Sequence, residues 1–586
     1  MFRGMLLLLI GGLWVFSSPG PANGAKAPPP EKTAGPTLRA LVRSARHPDL
    51  RWPALSDCKS DLDQLYDRAK WQPLWIERDC PTAAAVELVG RLAAADSLGL
   101  DPADYDAAWL TRASDSLMVR IDTPAAAELA RFDAALTVAA LRFVTALSAG
   151  RVSPALVGSQ VFVPMQLHPA AVIVDSLRVD DFQPGVLERI QPTARHYQLL
   201  KNGLVRYHRL ARDTTLTLAG ELPRDLKPGE PLPGGSRLRR LLEATGDLPP
   251  ARRRPKPEAD TLYAPDLVQG VKKFQLLHGF EPDGVIYPRT AEELARPFAE
   301  RVRQIELALE RWRWMPTTFR APPIIVNIPE FRLYAYKGLM DREDDMLTMD
   351  VLVGAAFRSE TPVFAADMKY LVFRPYWEMP ADIQKYEYTA LALEDRETLE
   401  RLGYVLVRND DPTPLPLTPD NVKRIGRDLR MRQLPGPYNA LGLVKFMLPN
   451  GHDIYLHDTP VKGLFAFWRR DISHGCVRVS DPVALAAHVL RNQPDWTPER
   501  IRQAMDGTEN DVRVDLAEPV PVFVQYMTAA VSENGDAHFY ADIYHLDEKL
   551  DGLLKQGYPY PKKPPRPERD EGQGRISTGV PTGTAR

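Results

Sequence analysis

The sequence predicts a multidomain α+β fold, in which a helical scaffold and a small helical module precede a mainly β domain with an inserted lid. The chain has 586 residues, which is more than a single hydrophobic core normally serves. Up to about residue 200, apolar residues recur at three- and four-residue spacing, as on one face of a helix. From Pro322 onward, runs rich in β-branched and aromatic residues partly alternate apolar with polar positions, which is typical of strands.

The composition is that of a globular protein without a strong charge preference. Apolar residues make up 44% of the chain and charged residues 26%. The net charge of −2 gives no strong attraction to polyanions, so no nucleic-acid partner is expected. The 55 prolines indicate linkers and many loop boundaries.

The first 25 residues have the pattern of a secretory signal peptide. Arg3 supplies a positive charge, an apolar run from Met5 to Phe16 follows it, and small residues come next. The apolar run is short for a membrane span, and an uncleaved anchor is the alternative interpretation. We therefore predict an exported protein with a signal peptide at 1–25 and a Pro-rich spacer at 26–37.

Two helical units are predicted to follow. Residues 38–220 are expected to form the scaffold, and 221–257 a linker that contains one short helix. A small helical module is predicted at 258–298, with a second helix that starts near its N-cap, Thr290. The first helix of this module should turn one apolar face inward, formed by Leu267, Val271, Phe274 and Leu277.

The mainly β domain is predicted at 322–505. A long charged segment at about 380–440 interrupts its strands, and an insertion of that length is more often functional than accidental, commonly as a lid. A C-terminal hairpin region is expected at 512–553, around Asn534–Gly535, followed by a disordered tail at 557–586.

The chain has three cysteines, and export changes how they are interpreted. Cys58 and Cys80 could pair in an oxidising compartment, or they could be two separate buried thiols. In either case Cys476 is left over. An unpaired thiol in an exported protein is a candidate reactive group.

The residues around Cys476 suit acyl transfer. A cysteine thiol, with an ordinary pKa near 8.5, needs a base to become a good nucleophile at neutral pH. His474 is near but constrained, whereas His457 could reach the sulfur if its strand neighbours the strand that carries Cys476. Gly475 permits a tight bend and should leave the Gly475 and Cys476 N–H groups free to bind an oxyanion.

Two other interpretations of the same residues remain open. The cluster could bind zinc, because it contains four residues of the right types, although no HExxH or CxxC pattern supports such a site. It could also be purely structural. The candidate zinc ligands are His452, His457, His474 and Cys476.

Several longer stretches of the sequence resemble known protein families. The run "LHDTPVKGLFAFWRRDISHGCVRVSDP" resembles the signature of the L,D-transpeptidase catalytic (YkuD) domain, and "VLVGAAFRSETPVF" and "LPGPYNALGLVKFMLPN" are similar to its flanking strands. The segment "VKKFQLLHGFEPDGVIYPRT" resembles a type 1 peptidoglycan-binding domain, with Tyr287 in place of its usual glycine. Together they resemble the large YcbB-type subfamily, from which "PYWEMP" departs at Glu378, where asparagine is usual.

The resemblance implies a role for each residue of the motif. Cys476 would be the nucleophile and His457 the general base, with Arg478 positioning the substrate. Ser473 and His474 would support the loop, and Gly475 would contribute to the oxyanion hole with Cys476. No cofactor or metal is implied.

The implied reaction forms 3→3 cross-links between peptidoglycan stem peptides in the periplasm. The thiol would attack the bond between a diamino acid and D-alanine, and an amine of a neighbouring stem would take the acyl group. Water or a protein lysine could replace that amine, and cell-wall synthesis enzymes could be partners. The alternatives are a catalytically inactive wall-binding protein and a zinc peptidoglycan hydrolase, and the sequence makes no prediction of oligomeric state.

Overall fold

The structure is a computed structural model that describes residues 34–560, apart from 121, 161–168, 180–184, 217, 219–221, 224, 251–260, 317–318, 339–340 and 343–344. The predicted signal peptide, most of the spacer and the tail beyond residue 560 lie outside the described residues. A helical N-terminal region is followed by a mostly β domain with a closed sheet, which confirms the predicted multidomain α+β class.

The scaffold is organised around one long helix, α5. By length and composition α5 could cross a membrane, but 89% of its apolar window is buried inside the protein. It is therefore the core helix of the scaffold, and Gly150 with its positive φ ends it. The scaffold elements are α1 (Gly35–Arg43), α2 (Lys59–Arg68), β1 (Ile76–Glu77), β2 (Cys80–Pro81), α3 (Ala83–Ala93), α4 (Ala107–Val119), α5 (Ala126–Ala149), β3 (Ser159–Gln160), α6 (Ala170–Val179) and α7 (Gly185–Arg189).

The C-terminal end of the described chain returns to the scaffold. After helix α19 (Leu546–Leu554), Tyr558 and Tyr560 pack into the scaffold core. The Arg142 guanidinium lies over the Tyr558 ring, 4.6 Å from its centroid. The predicted disordered tail is thus wrong for residues 557–560, because two aromatic rings there bury enough apolar surface to hold the segment in place.

Helices α8 (Arg195–Ala211) and α12 (Phe298–Trp312) connect the scaffold to the β domain. They pack on each other and belong to the same hydrophobic core as the main sheet. The scaffold also adds β3 to this sheet, in parallel with a long strand of the β domain. The helical and β parts are therefore packed together and are not independent domains joined by a flexible linker.

The small module is larger than predicted. It contains α9 (Gly235–Thr245), α10 (Pro265–Leu277) and α11 (Pro288–Leu294). Residues of the predicted linker, Leu238 and Leu242, share one core with Leu267 and Val271, because α9 is itself amphipathic and buries its apolar face. Thr290 is not the N-cap: α11 begins two residues earlier, at Pro288, since proline is well suited to the first turn of a helix.

The main sheet closes on itself. Its strands run in the order β11-β12-β14-β6-β5-β4-β15-β7, and β7 pairs again with β11. Helices α17 (Pro482–Val489) and α18 (Pro498–Asp506) follow β14. The strands are β4 (Ile324–Asn327), β5 (Arg332–Ala335), β6 (Leu347–Gly354), β7 (Val363–Phe373), β11 (Val444–Met447), β12 (Leu456–His457), β13 (Asp471–Ser473), β14 (Val477–Val479) and β15 (Val512–Gln525).

The predicted C-terminal hairpin region at 512–553 is divided in the structure. Its first part, β15, lies inside the main sheet between β4 and β7, where its run from Val520 to Gln525 is buried on both faces. Only β16 (Ala529–Val531) and β17 (Ala537–Phe539) form a hairpin, and its turn contains the predicted Asn534–Gly535.

The insertion between β7 and β11 is a folded subdomain, called the lid below. Its three strands pair in the order β8-β10-β9 around a separate core that includes Trp377, Leu406 and Met431. A π-helical turn spans Gln384–Tyr388. The other lid elements are β8 (Trp377–Glu378), α13 (Ala381–Ile383), α14 (Thr389–Glu394), α15 (Arg396–Arg401), β9 (Tyr404–Arg408), α16 (Pro419–Val422) and β10 (Leu429–Gln433).

Glu310 of α12 joins the scaffold to the β domain through buried charges. Its carboxylate is fully buried and accepts hydrogen bonds from the backbone N–H groups of Arg151 and Val152, the latter at 3.1 Å. It also pairs with the guanidinium groups of Arg151 at 3.4 Å and Arg313 at 3.5 Å. One carboxylate therefore contacts two buried cations, of which Arg151 also pairs with Asp104 at 3.4 Å.

Replacement of Glu310 by Gln should lower the free energy of unfolding by about 3 kcal/mol, because it removes the carboxylate that pairs with buried Arg313 and leaves Arg151 with Asp104 alone. Urea denaturation followed by circular dichroism measures the change. The control is Asp420→Asn, which breaks a 3.5 Å pair with Lys423 whose side chains are 94% and 70% exposed, and should cost less than about 0.5 kcal/mol. Equal shifts for the two variants would contradict this assignment.

Candidate active site

The strand that carries His457 lies beside the strand that follows Cys476, as the sequence hypothesis required. Strand β12 pairs in parallel with β14, and His457 is directly opposite Arg478. The preceding pair, Leu456 and Val477, points into the core with no exposed surface. Since side chains alternate along a strand, His457, Arg478 and Cys476 share the opposite face.

His457 is buried as a neutral imidazole. Its Nδ1 lies 2.6 Å from the Asp458 carbonyl oxygen, which can only accept, so Nδ1 carries the hydrogen and Nε2 holds the lone pair. Burial, reinforced by the positive charge of Arg478, lowers the pKa of His457 to about 3. The imidazole is therefore in the form that a general base needs at neutral pH.

The Cys476 thiol is partly buried and protonated. Its Sγ donates to the Asp453 carbonyl oxygen at 3.8 Å. Burial raises the pKa of the thiol to about 11, although hydrogen bonds with Tyr455 and the charge of Arg478 act in the opposite direction. Among the described residues, no hydrogen bond joins Cys476 to His457. The structure thus brings the two candidates onto adjacent strands without linking them in this state.

The turn before Cys476 is held by its own side chains. Gly475 has a φ of +108°, a conformation that favours glycine. The Ser473 hydroxyl donates to the Cys476 carbonyl at 2.7 Å and accepts from the Gly475 N–H at 3.2 Å. The prediction that the Gly475 N–H is free is therefore wrong, because the serine two residues earlier captures it. Among the described groups none accepts from the Cys476 N–H, which remains the candidate oxyanion donor.

Two residues that the sequence analysis did not assign fasten this turn to the loop after β6. The Thr361 hydroxyl accepts from the Gly354 N–H at 2.8 Å and donates to the Gly475 carbonyl at 2.7 Å. The Ser359 hydroxyl donates to the Ser473 carbonyl at 3.0 Å. Both lie in the quoted stretch "VLVGAAFRSETPVF", which was the available signal.

Asp458 fixes the loop on the His457 side. Its carboxylate accepts from the Leu443 N–H at 2.9 Å and pairs with Lys462 at 2.6 Å. Gly442, at a φ of +63°, passes so close that a Cβ would lie 2.3 Å from an Asp458 carboxylate oxygen. Only glycine fits there, and the close contact helps to set the position of β12.

The lid contacts the turn directly. The His474 Nε2 lies 2.8 Å from the Glu387 Oε1, and Glu387 belongs to the π-helical turn of the lid. Tyr388, the next lid residue, lies close enough to Arg478 to interact with its charge. The Arg478 Nε is buried and has no hydrogen-bond partner among the described residues. His474 is therefore a lid contact, while Arg478 holds an unused donor at the site.

Glu378, where the sequence departs from the family pattern, belongs to the lid framework. Its carboxylate pairs with Arg430 at 3.2 Å and with Arg432. The neighbouring Trp377 ring packs edge-on against Tyr388, with ring centroids 6.0 Å apart. Glu378 therefore stabilises the base of the lid and does not add a functional group to the site.

The candidate metal ligands do not form one cluster. Among the described residues, no three of the types His, Cys, Asp and Glu come together in a way that could hold an ion. His452 packs against Phe364, and His474 reaches the lid. The other two cysteines, Cys58 and Cys80, form no disulfide with each other in the structure, and one is buried and the other exposed.

Comparison with known families assigns this part of the chain. The family of L,D-transpeptidase catalytic domains matches residues 322–520, which contain the closed sheet, the lid and the turn. This region is similar to L,D-transpeptidase catalytic domains. A scaffold-domain family matches residues 60–204 of the helical region.

A curated relative carries the same kind of description. A protein of Haemophilus influenzae named "Putative L,D-transpeptidase" is 31% identical over 228 residues. The alignment covers 39% of this chain and 45% of the relative, so the chain spans less than half the length of the relative it matches. Part of the chain thus matches a family of L,D-transpeptidase catalytic domains, and 228 residues are similar to a protein of that name.

The reactivity of Cys476 should depend on Arg478. Replacement by Gln removes a charge that lowers the thiol pKa, so less thiolate forms and alkylation at pH 8 should slow by about threefold, or half a pKa unit. The measurement is iodoacetamide labelling of full-length protein that carries Cys58→Ala and Cys80→Ala. The matched control is Arg427→Gln, an exposed lid arginine. Unchanged or faster labelling in Arg478→Gln would contradict the electrostatic account.

The contact between the lid and the turn should be modest in strength. His474 and Glu387 are 46% and 48% exposed, and pairs of that kind contribute about 0–1 kcal/mol. Glu387→Gln should therefore raise amide hydrogen exchange in residues 384–394 by no more than about fivefold, without changing exchange in the main sheet. Asp420→Asn, elsewhere on the lid, is the control. An increase that extends through the whole domain would show instead that Glu387 is needed for folding.

Proposed function

We propose that this protein is a cysteine-dependent L,D-transpeptidase that cross-links peptidoglycan stem peptides. The observation that carries the proposal is the parallel pairing of β12 with β14, which sets His457 beside Cys476 on one face of an L,D-transpeptidase domain. A nucleophile, a neutral base and a backbone N–H donor are the groups that acyl transfer requires.

The first step would form a thioester. The Cys476 Sγ attacks the carbonyl carbon of the third stem residue, a diamino acid, and the His457 Nε2 takes the thiol proton. The Cys476 N–H donates to the oxyanion of the tetrahedral intermediate. When this intermediate collapses, the bond to D-alanine breaks and His457 returns the proton to the leaving amine.

The second step would form the cross-link. The side-chain amine of a diamino acid in a neighbouring stem attacks the thioester carbonyl, and His457 accepts one of its protons. Collapse breaks the C–S bond, the sulfur regains the proton, and an amide joins two third residues. The 3→3 connection follows from which carbonyl is activated and which amine attacks.

Arg478 would position the stem peptide. Its buried Nε has no partner among the described residues, and an orphaned donor of that kind is costly unless a ligand uses it. A stem peptide brings free carboxylates, which guanidinium groups bind strongly. A carboxylate of the donor stem is therefore the expected partner of this group.

The lid would cover the bound stem. Glu387 contacts His474 in the turn before Cys476, and Tyr388 interacts with Arg478, so the lid adjoins the place where a stem would bind. Closure over the substrate would exclude water from the thioester and favour the amine acceptor. The proposed setting is the periplasm, and the "HGFEPDGV" module is proposed to bind peptidoglycan.

The function is tested with muropeptides that carry tetrapeptide stems. Full-length protein should convert them to a cross-linked dimer with loss of D-alanine, read by mass spectrometry. Cys476→Ala should abolish the product, and His457→Gln should slow it by at least about 100-fold, the usual size of a general-base contribution. Cys80→Ala, which changes an exposed thiol, should have no effect.

Other outcomes of this assay would favour the alternative functions. Cleavage that a chelator stops would favour a zinc hydrolase, and binding without turnover would favour an inactive wall-binding protein. A shortened stem without dimer would mean that water is the acceptor.

A further inference from the structure

A cavity of about 910 Å³ lies between the small module and the L,D-transpeptidase domain. One wall is the end of α10 and the start of α11, with Tyr287 and Arg289. A second wall is the outer face of strands β4 to β6. The third is the loop at 465–470, which leads directly into β13 and the turn before Cys476. Neither Cys476 nor any lid residue is among its lining residues.

The strand wall is a regular surface of side chains. Asn327 pairs with Arg332 across β4 and β5, and Arg332 pairs with Asp350 across β5 and β6. A second row, Tyr334 and Thr348, runs parallel to the first. Paired positions point to the same side of a sheet, so both rows face the cavity.

The carboxylates of the strand wall already have partners within the cavity. Asp350 accepts from the Arg470 guanidinium at 3.0 Å and lies 3.8 Å from that of Arg332. Glu330 accepts from the Tyr540 hydroxyl and from the Asn327 amide, both at 2.9 Å. At this wall an ionic ligand would have to compete with these contacts, whereas an uncharged ligand can add hydrogen bonds to them.

Aromatic rings line the rim. Tyr287, Phe467 and Trp468 are 46%, 56% and 37% exposed. The Arg289 guanidinium lies over the Phe280 ring, 5.0 Å from the ring centroid. Flat apolar rings beside hydrogen-bonding groups are suited to a sugar, whose C–H face stacks on the ring while its hydroxyl and amide groups bind the polar wall.

We infer that this cavity binds an uncharged N-acetylhexosamine segment of the glycan strand whose stem peptide reaches Cys476. This inference rests on the proposed function. Strand β6 links the two places, since Asp350 lines the cavity and Gly354 lies at the turn, about 13 Å further along the strand. A glycan strand bound in the cavity would bring its own stem peptide to the turn before Cys476. Sugar binding would therefore lower KM and leave kcat unchanged.

The binding test uses the tetramer of N-acetylglucosamine as the probe and calorimetry on full-length Cys476→Ala. Trp468→Ala and Tyr287→Ala should each weaken binding by about tenfold. Tyr438→Ala removes a tyrosine that is 63% exposed on the lid, outside the cavity, and should leave binding unchanged. Binding that is absent, or insensitive to both rim variants, would overturn the inference, and so would displacement of the sugar by a free stem peptide.

A second measurement separates this inference from the proposed function. With the Cys476 thiol intact, Trp468→Ala and Tyr287→Ala should raise KM for a disaccharide-tetrapeptide by about tenfold and leave kcat unchanged. Turnover of the free tetrapeptide should be the same in all variants. If the rim variants have the same KM as the unsubstituted protein on both substrates, the sugar site is overturned and the proposed transpeptidase function stands. If the unsubstituted protein does not turn over the free tetrapeptide, the proposed function itself is rejected.

Discussion

The pairing between β12 and β14 is the constraint on which the site depends. These strands are only two and three residues long, yet their register decides which side chains face the core. A slip by one residue would bury His457 in the core and turn Leu456 toward Cys476. The closed sheet prevents such a slip, because β12 also pairs with β11, and β11 pairs with β7. The geometry of the site is thus a property of the whole barrel.

In the absence of substrate, the imidazole of His457 and the thiol of Cys476 are both uncharged. Burial holds the pKa of His457 at about 3 and that of Cys476 at about 11, so imidazole and thiol are both neutral at pH 7. A buried ion pair would cost desolvation energy that the present contacts do not offset. A thiol of this kind resists oxidation and alkylation until a bound substrate or a rearranged hydrogen bond favours the thiolate. Hydrogen bonds with Tyr455 and the positive charge of Arg478 already favour the thiolate of Cys476.

Much of the fold and the centre of the site could be predicted from local patterns. Helical periodicity predicted the scaffold, and short linear stretches singled out Cys476 and His457 as candidates that neighbouring strands could bring together. Contacts between distant segments could not be predicted in this way. The bond from Thr361 to Gly475 joins residues 114 positions apart, and the two-residue strand β12 is too short to show any period. The participation of α9 in the module core, and of β15 in the sheet, likewise depends on partners that no local window contains.

The packing of Tyr558 and Tyr560 into the scaffold has a consequence for the order in which the protein can fold. A chain made from its N-terminus presents the scaffold helices first, but their core is complete only when the last described residues arrive. Between these events the chain has to build the module, the barrel and the lid. The first core to be synthesised is therefore among the last to be finished, and during that interval it exposes an apolar surface that a chaperone or a neighbouring chain can occupy.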